Sequence, residues 1–230
     1  EYIVKTIVTT ELLADIASKY GVEYYDTLTG FKYIAGIIKE NEGKKLFIGG
    51  GEESYGYLAG EFVRDKDAVM SAALIAEAAV WGEETGKSFY ELLIDIYVEF
   101  GLYKEVLVNI VKKGKKGADE IQQMMADLRS KPPKTLAGAK VIQIKDYQLQ
   151  QDENLVTETI EPITLPKSNV IQLFTEDGSK ISIRPSGTEP KIKFYIGLKT
   201  DLKSREELEA KTKLLDEKIE LIKQDLEIEG

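Results

Sequence analysis

The chain contains no cysteine and no histidine. The first absence removes disulfides, thiolate nucleophiles and cysteine-ligated zinc. The second removes serine–histidine–aspartate chemistry and imidazole metal sites. Any acid–base group within these residues is therefore an aspartate, glutamate, lysine or tyrosine. Excess basic charge is lacking too. The formal net charge is −9, so no nucleic-acid partner is expected. The run Lys112-Lys113-Gly114-Lys115-Lys116 is short and reads as a solvated loop. No apolar run approaches the roughly 20 residues that span a bilayer, so no membrane partner is expected either. The opening residues carry no signal-peptide pattern, and a cytoplasmic location fits these absences. Residue 1 is Glu1, not an initiator methionine, so the sequence is expected to be a fragment of something longer.

What is present is ordinary for a globular chain. Hydrophobic residues make up 43% and charged residues 31% of 230. That length buries one large core or two small ones. Residues 3–9 and 22–28 are rich in β-branched and aromatic residues and read as strands, and 44–50 as a third strand that stops in glycine. Between them, residues 11–20 follow Thr10 as an N-cap and end at Gly21, and Phe31, Ile34, Ile37 and Ile38 recur at helical spacing. Strands alternating with helices predict a parallel sheet with crossover helices. The segment 64–84 reads as a helix buried on more than one face, 88–101 as an amphipathic helix capped by Ser88, 103–111 as a strand and 117–130 as a terminal helix.

Lys131-Pro132-Pro133 breaks helix and stiffens the chain, so a domain boundary is expected there. Beyond it, 139–147, 170–175, 180–184 and 191–199 read as strands, with Asp177-Gly178 as a hairpin turn. A charged helix closes the chain, with a capping box at Ser204 and Glu207. The expected fold is a mixed-sheet α/β domain with crossover helices over residues 1–130. A smaller α+β domain, an antiparallel sheet with packed helices, follows over 131–230.

Two loops carry chemistry. Gly49-Gly50-Gly51-Glu52-Glu53-Ser54-Tyr55-Gly56 follows a predicted strand, where parallel α/β sheets bind ligands. Glycines admit close backbone approach, and two carboxylates with a hydroxyl suit a polyol. The same residues also read as a solvated glycine-rich turn. Arg184-Pro185-Ser186-Gly187-Thr188-Glu189-Pro190 also ends a strand. Its guanidinium forks onto phosphate oxygens, its hydroxyls donate, and Gly187 lets amides turn inward as an anion nest. It reads equally as a stiff turn joining two strands.

Taken together, GEESYG and RPSGTEPKIKFY resemble the sugar-binding and phosphate-binding loops of the α-D-phosphohexomutase family, the phosphoglucomutases and phosphomannomutases. Ile3-Val4-Lys5-Thr6, Thr29-Gly30-Phe31-Lys32 and the RDKD at 64–67 fit the same family. The resemblance implies the third and fourth of four domains around one cleft. No TxSHNP-type serine motif and no DGDGDR-type metal loop occurs in the chain. The catalytic phosphoserine and the Mg²⁺-binding aspartates would therefore belong to N-terminal domains that are missing here, and these domains are the expected partner.

The resemblance implies movement of a phosphoryl group between O1 and O6 of a hexose phosphate, such as glucose 1-phosphate, through glucose 1,6-bisphosphate. Glu52 and Ser54 would hold the sugar hydroxyls, with Gly30 and Phe31 near the ring. Arg184, Ser186, Gly187 and Thr188 would hold the phosphate that is not being transferred. Lys5, Lys66 and Lys193 are further candidates for substrate contact; at Lys193 many relatives have arginine, the better bidentate partner. No catalytic or metal-ligating residue is expected in the chain, and the chain alone is expected to be inactive. A phosphopentomutase and a stand-alone, non-catalytic sugar-phosphate-binding module are the alternatives.

Overall fold

A computed structural model describes residues 1–187 and 189–228. It divides into two compact units, one of residues 1–102 with 201–207, the other of 103–200 with the residues from Leu208 onward.

In the first unit, β1 (Tyr2–Thr6), α1 (Leu12–Lys19), β2 (Glu23–Thr27), α2 (Phe31–Asn41), β3 (Phe47–Gly51) and β4 (Tyr57–Ala59) alternate as the sequence pattern predicts for the first five. The sheet order is β2-β1-β3-β4. β1 pairs in parallel with both β2 and β3, and β4 runs back antiparallel to β3. Tyr2, Val4, Phe31, Ile34, Ile38, Phe47 and Leu58 form the core on one face of that sheet. β1 and β3 approach so closely that a Cβ on Gly50 would stand 2.4 Å from the Val4 carbonyl oxygen. Only glycine tolerates that contact. At the start of α1, Glu11 is the cap residue, while the Thr10 hydroxyl accepts the Leu12 amide at 3.2 Å. Gly21 takes φ +65° beyond the helix end, as expected of a stop.

Two helices complete the unit, α3 (Ala68–Glu84) and α4 (Phe89–Phe100). Ser88 caps α4 in a full capping box with Glu91. α3 departs from expectation. Its apolar composition predicts burial on several faces, yet Gly82 is its one buried residue. Met70 packs toward the core, and most of the remaining residues are exposed.

The second unit opens with β5 (Leu102–Val111) and α5 (Gly114–Ser130). Then come β6 (Thr135–Leu136), β7 (Ala139–Asp146), β8 (Gln151–Asn154), β9 (Thr159–Pro162), β10 (Ile171–Thr175), β11 (Lys180–Pro185), β12 (Lys191–Thr200) and α6 (Leu208–Asp225). The sheet order is β5-β12-β11-β10-β7-β8-β9, with β6 on β7. The β7, β8, β9, β10, β11 and β12 pairings are antiparallel. α6 packs on β12 and buries Leu215, Ile219 and Ile222.

The division between units therefore falls at Leu102, not at Lys131-Pro132-Pro133. β5 joins the second sheet beside β12, and α5 also contacts β12, so both elements belong with the second unit. α5 starts at Gly114, which takes Lys115 and Lys116 out of the expected loop and into a first helical turn. The Ser204–Glu207 box does not form either. The Glu207 carboxylate accepts from the Lys203 amide at 3.1 Å, and a 3₁₀ turn at Arg205–Glu207 precedes α6. The Asp177-Gly178 hairpin is present, with Gly178 at φ +82° between β10 and β11. Among the described residues, no helix is long and apolar enough to cross a membrane.

Candidate functional site

The acidic loop is the tip of the β3–β4 hairpin. Gly51 pairs with Tyr57, and the Glu52 amide donates to the Gly56 carbonyl at 2.8 Å, closing the turn. A Cβ on Gly56 would stand 2.5 Å from Lys66 Cδ and 3.1 Å from Glu52 Oε2, so a side chain there would displace Lys66. Tyr55 takes φ +70°, a left-handed conformation unusual for a bulky residue, and is 99% exposed. Ser54 beside it is exposed.

The two carboxylates have different anchors. Glu52 Oε1 accepts the Gly30 amide at 2.8 Å. Gly30 holds φ +116° at the start of α2, a region that favours glycine, and this aims its amide at the hairpin. Glu53 Oε2 accepts the Thr6 hydroxyl at 3.2 Å, and Thr6 and Thr9 share a hydrogen bond of 2.8 Å. The end of β1, the start of α2 and the tip of the hairpin are thus tied together by the loop's own acids.

Lys66 belongs to the same cluster. Its ammonium lies 5.0 Å from the centroid of the Phe31 ring and 2.7 Å from Asp65 Oδ1. Asp65 first, and Glu52 at longer range, raise its pKa above the ordinary lysine value. Gly30, Glu52 and Lys66 therefore share one cluster, with Ser54 exposed in the same loop. Phe31 and Lys5 do not join it as ligand contacts. Phe31 is a core residue, packed beneath α2 with Tyr2 and Phe47, and it meets the cluster through Lys66. Lys5 has a fully buried side chain, 2.7 Å from Asp26 Oδ1 and 3.0 Å from Glu11 Oε1. Burial alone would lower its pKa, but the two carboxylates outweigh burial and raise it. Alternation along β1 puts Lys5 on the face opposite Tyr2 and Val4, where Glu11 and Asp26 enclose it, and the loop motif does not reveal this.

In the second unit, the basic loop joins β11 to β12. Arg184 stands directly across from Lys193, and Pro185 across from Ile192. Directly opposed cross-strand residues project on one face, so two cations share the mouth of this hairpin. Like charges in that register destabilise a sheet unless an anion neutralises them. Glu189 answers part of the charge. Its carboxylate lies 2.5 Å from the Lys191 ammonium, and Lys191, then Lys193, hold its pKa below the ordinary value. Within the loop, the Ser186 amide donates to the Lys191 carbonyl at 2.8 Å, and the Ser186 hydroxyl accepts the Glu189 amide at 3.3 Å. Gly187 is exposed at the tip, and Thr188 lies outside the described residues. Lys193 lies 5.9 Å from the Tyr195 ring.

Beside this loop is a cavity of about 460 Å³, walled by Pro185, Ser186, Gly187, Glu189 and Pro190 and by Gly114, Ala118, Ile121 and Gln122 of α5. Sequence reasoning missed the α5 wall because it assigned that helix to the other domain. The signal that could have found it is a strand at 103–111 long enough to reach a second sheet.

Residues 1–100 match the family model described as "Phosphoglucomutase/phosphomannomutase, alpha/beta/alpha domain III". Over 199 residues the chain is 39% identical to the phosphoglucomutase of Staphylococcus haemolyticus, covering 86% of this chain and 36% of that protein. Residues 1–100 thus carry the third domain of the phosphoglucomutase/phosphomannomutase family. The phosphoglucomutase of Staphylococcus saprophyticus is 37% identical over 203 residues, with 87% of this chain and 37% of the relative covered. The chain thus spans little more than a third of the length of the phosphoglucomutases it matches. Among solved structures, parafusin, a phosphoglucomutase from Paramecium captured in an open form, matches with a TM-score of 0.58 at 17% identity, covering 97% of this chain and 38% of that one. A Thermus thermophilus protein assigned as a phosphomannomutase matches with a TM-score of 0.54 at 19% identity, covering 94% of this chain and 36% of that one. Both share the fold of this chain.

Proposed function

We propose that these residues supply the sugar-binding and phosphate-binding loops of a phosphohexomutase that interconverts hexose 1-phosphate and hexose 6-phosphate. The match to the family's third domain supports the reaction class, and the placement of Glu52 carries the reading. One of its oxygens is fixed by the Gly30 amide, so the carboxylate is set at the hairpin tip before any ligand arrives. A pre-set acceptor beside the Ser54 hydroxyl can bind vicinal sugar hydroxyls without ordering a loop. Lys66, at the edge of the same cluster, adds a positive charge toward a phosphorylated sugar.

At the other loop, Arg184 and Lys193 hold the phosphate that is not in transfer, with Ser186 and Gly187 framing it. Binding energy at that remote end positions the reacting hydroxyl. The phosphoryl group comes from a serine outside residues 1–230, passes to the free sugar hydroxyl to give a bisphosphate, and the other phosphate returns to the serine. For Mg²⁺ the residues here do not fit, since among those described no three acidic side chains gather as a metal site. No step at these loops is routed through the ion.

The test is mutase turnover. The full-length protein should convert glucose 1-phosphate to glucose 6-phosphate, and the isolated 230-residue chain should not. Turnover by the isolated chain, or none by the full-length protein with any hexose phosphate, overturns the reading.

A further inference from the structure

Tyr55 is the residue of the β3–β4 hairpin that the fold does not explain. Its φ of +70° is left-handed, a conformation that costs a bulky residue free energy and costs glycine none. Its ring is also 99% exposed, the highest value among the large apolar and aromatic side chains described. Elsewhere in the chain such a conformation is offset. Gln150 takes φ +60°, and its side-chain amide donates to the carbonyls of Tyr147 and Leu165 at 3.0 and 3.1 Å. At Tyr55 a strained backbone and an aromatic ring left in water coincide, and a ring this exposed buries no surface that offsets either. Strain of this kind collects at ligand sites.

The residues on either side of Tyr55 face the cluster built on Glu52. Ser54 precedes it and is exposed. Gly56 follows it, and the open side of its Cα looks onto Glu52 Oε2 and Lys66. Glu52 Oε1 is taken by the Gly30 amide, so Oε2 is the oxygen turned toward Tyr55's end of the hairpin. We propose that Tyr55 is a further substrate contact, stacking its ring on the C–H face of the hexose and so selecting glucose over mannose. The proposal rests on the mutase reading above. Polarised C–H groups pack against the negative face of an aromatic ring. In α-glucose 1-phosphate only O1 is axial, so one face of the sugar is unbroken C–H surface. In α-mannose 1-phosphate O2 is axial on that remaining face, and neither face is clear. Glu52 and Ser54 read hydroxyls, whereas a stacked ring reads flatness.

Steady-state turnover of the two sugar phosphates by the full-length protein tests this, with a thermal melt of each variant without sugar. Where a sugar is not turned over, equilibrium dialysis supplies its affinity instead. Tyr55→Gly removes ring and strain together. It should melt within about 2 °C of wild type or above it. Its kcat/KM or affinity for glucose 1-phosphate should fall about tenfold, the size of one aromatic contact, and that for mannose 1-phosphate less than about twofold. Tyr55→Phe keeps the ring and should recover most of the loss. Equal falls for the two sugars, or no fall for either, overturn the proposal. So does a larger drop in melting temperature, because the ring then belongs to the packing of the longer protein. Turnover by the wild type with no effect of Tyr55→Gly removes the stacking and leaves the mutase reading. Binding without turnover, with the selective loss in Tyr55→Gly, does the reverse. Binding of neither sugar removes both.

Discussion

The Gly30 amide donates to Glu52 Oε1 at 2.8 Å, joining the start of α2 to the tip of the β3–β4 hairpin. The bond separates two properties of Glu52, its anchorage and its charge. Glu52→Gln keeps an oxygen for Gly30 and loses the charge. In the full-length protein it should leave stability within about 0.5 kcal/mol of wild type. Its kcat/KM should fall roughly tenfold to a hundredfold, the equivalent of about 1.5–3 kcal/mol for a charge-assisted hydrogen bond. Equal kcat/KM in variant and wild type rules Glu52 out as a sugar ligand. Gly30→Ala attacks the anchor instead. At φ +116° it should cost of order 1–3 kcal/mol of stability in a thermal melt.

Arg184 and Lys193 face each other across β11 and β12. Without an anion, removing one of two opposed cations relieves repulsion. Arg184→Ala should therefore melt at or slightly above the wild-type temperature in phosphate-free buffer. With inorganic phosphate the order should reverse, because ligand stabilisation scales with affinity. Phosphate affinity should drop by about 1.5–3 kcal/mol. A phosphate-induced shift in melting temperature that is the same for both proteins would mean that Arg184 does not hold the anion.

Most of the first sheet was legible because β1, β2 and β3 are rich in β-branched or aromatic residues and end in turn signals. β4 was missed: Tyr57–Ala59 is too short to show a period. β8 and β9 were missed for another reason. Gln151–Asn154 and Thr159–Pro162 are polar outer strands of the sheet with no buried face to impose alternation. Loop motifs gave positions but not directions, so Phe31 and Lys5 were assigned to a ligand when they point inward. The Gly30–Glu52 tie is a backbone-to-side-chain contact across 22 residues, and no local pattern encodes it. α3 misled for the opposite reason. Its apolar composition predicts burial on several faces, and most of its residues are exposed.

Lys5 offers a sharp choice between a structural and a binding role. Its ammonium is held by Asp26 and Glu11, whose side chains are 38% and 39% exposed. Lys5→Met keeps much of the volume and strands both carboxylates beside an apolar slot. Breaking a fully buried pair costs about 3–5 kcal/mol, and partial hydration of the acids here reduces the expected loss to roughly 1–3 kcal/mol. Urea unfolding measures it. A stable variant with a raised KM would instead restore Lys5 as a substrate contact.

Asp177 gives the second unit a defined acid sensitivity. Burial alone would raise its pKa, but Lys218, Thr175 and Ser179 hydrogen-bond the carboxylate and hold it at about 2, below the ordinary 3.8. A depressed pKa means that the folded state binds a proton less readily than the unfolded chain. The stabilisation is therefore complete above about pH 5 and is lost as pH falls toward 2. Asp177→Asn removes the titration and weakens the tie from α6 to the β10–β11 turn. The difference in unfolding free energy between wild type and Asp177→Asn should be constant from pH 7 down to about 5. It should then shrink steadily toward pH 2. Denaturant titrations across that range check it, and a difference that stays constant down to pH 2 would show that the carboxylate titrates alike in folded and unfolded chains.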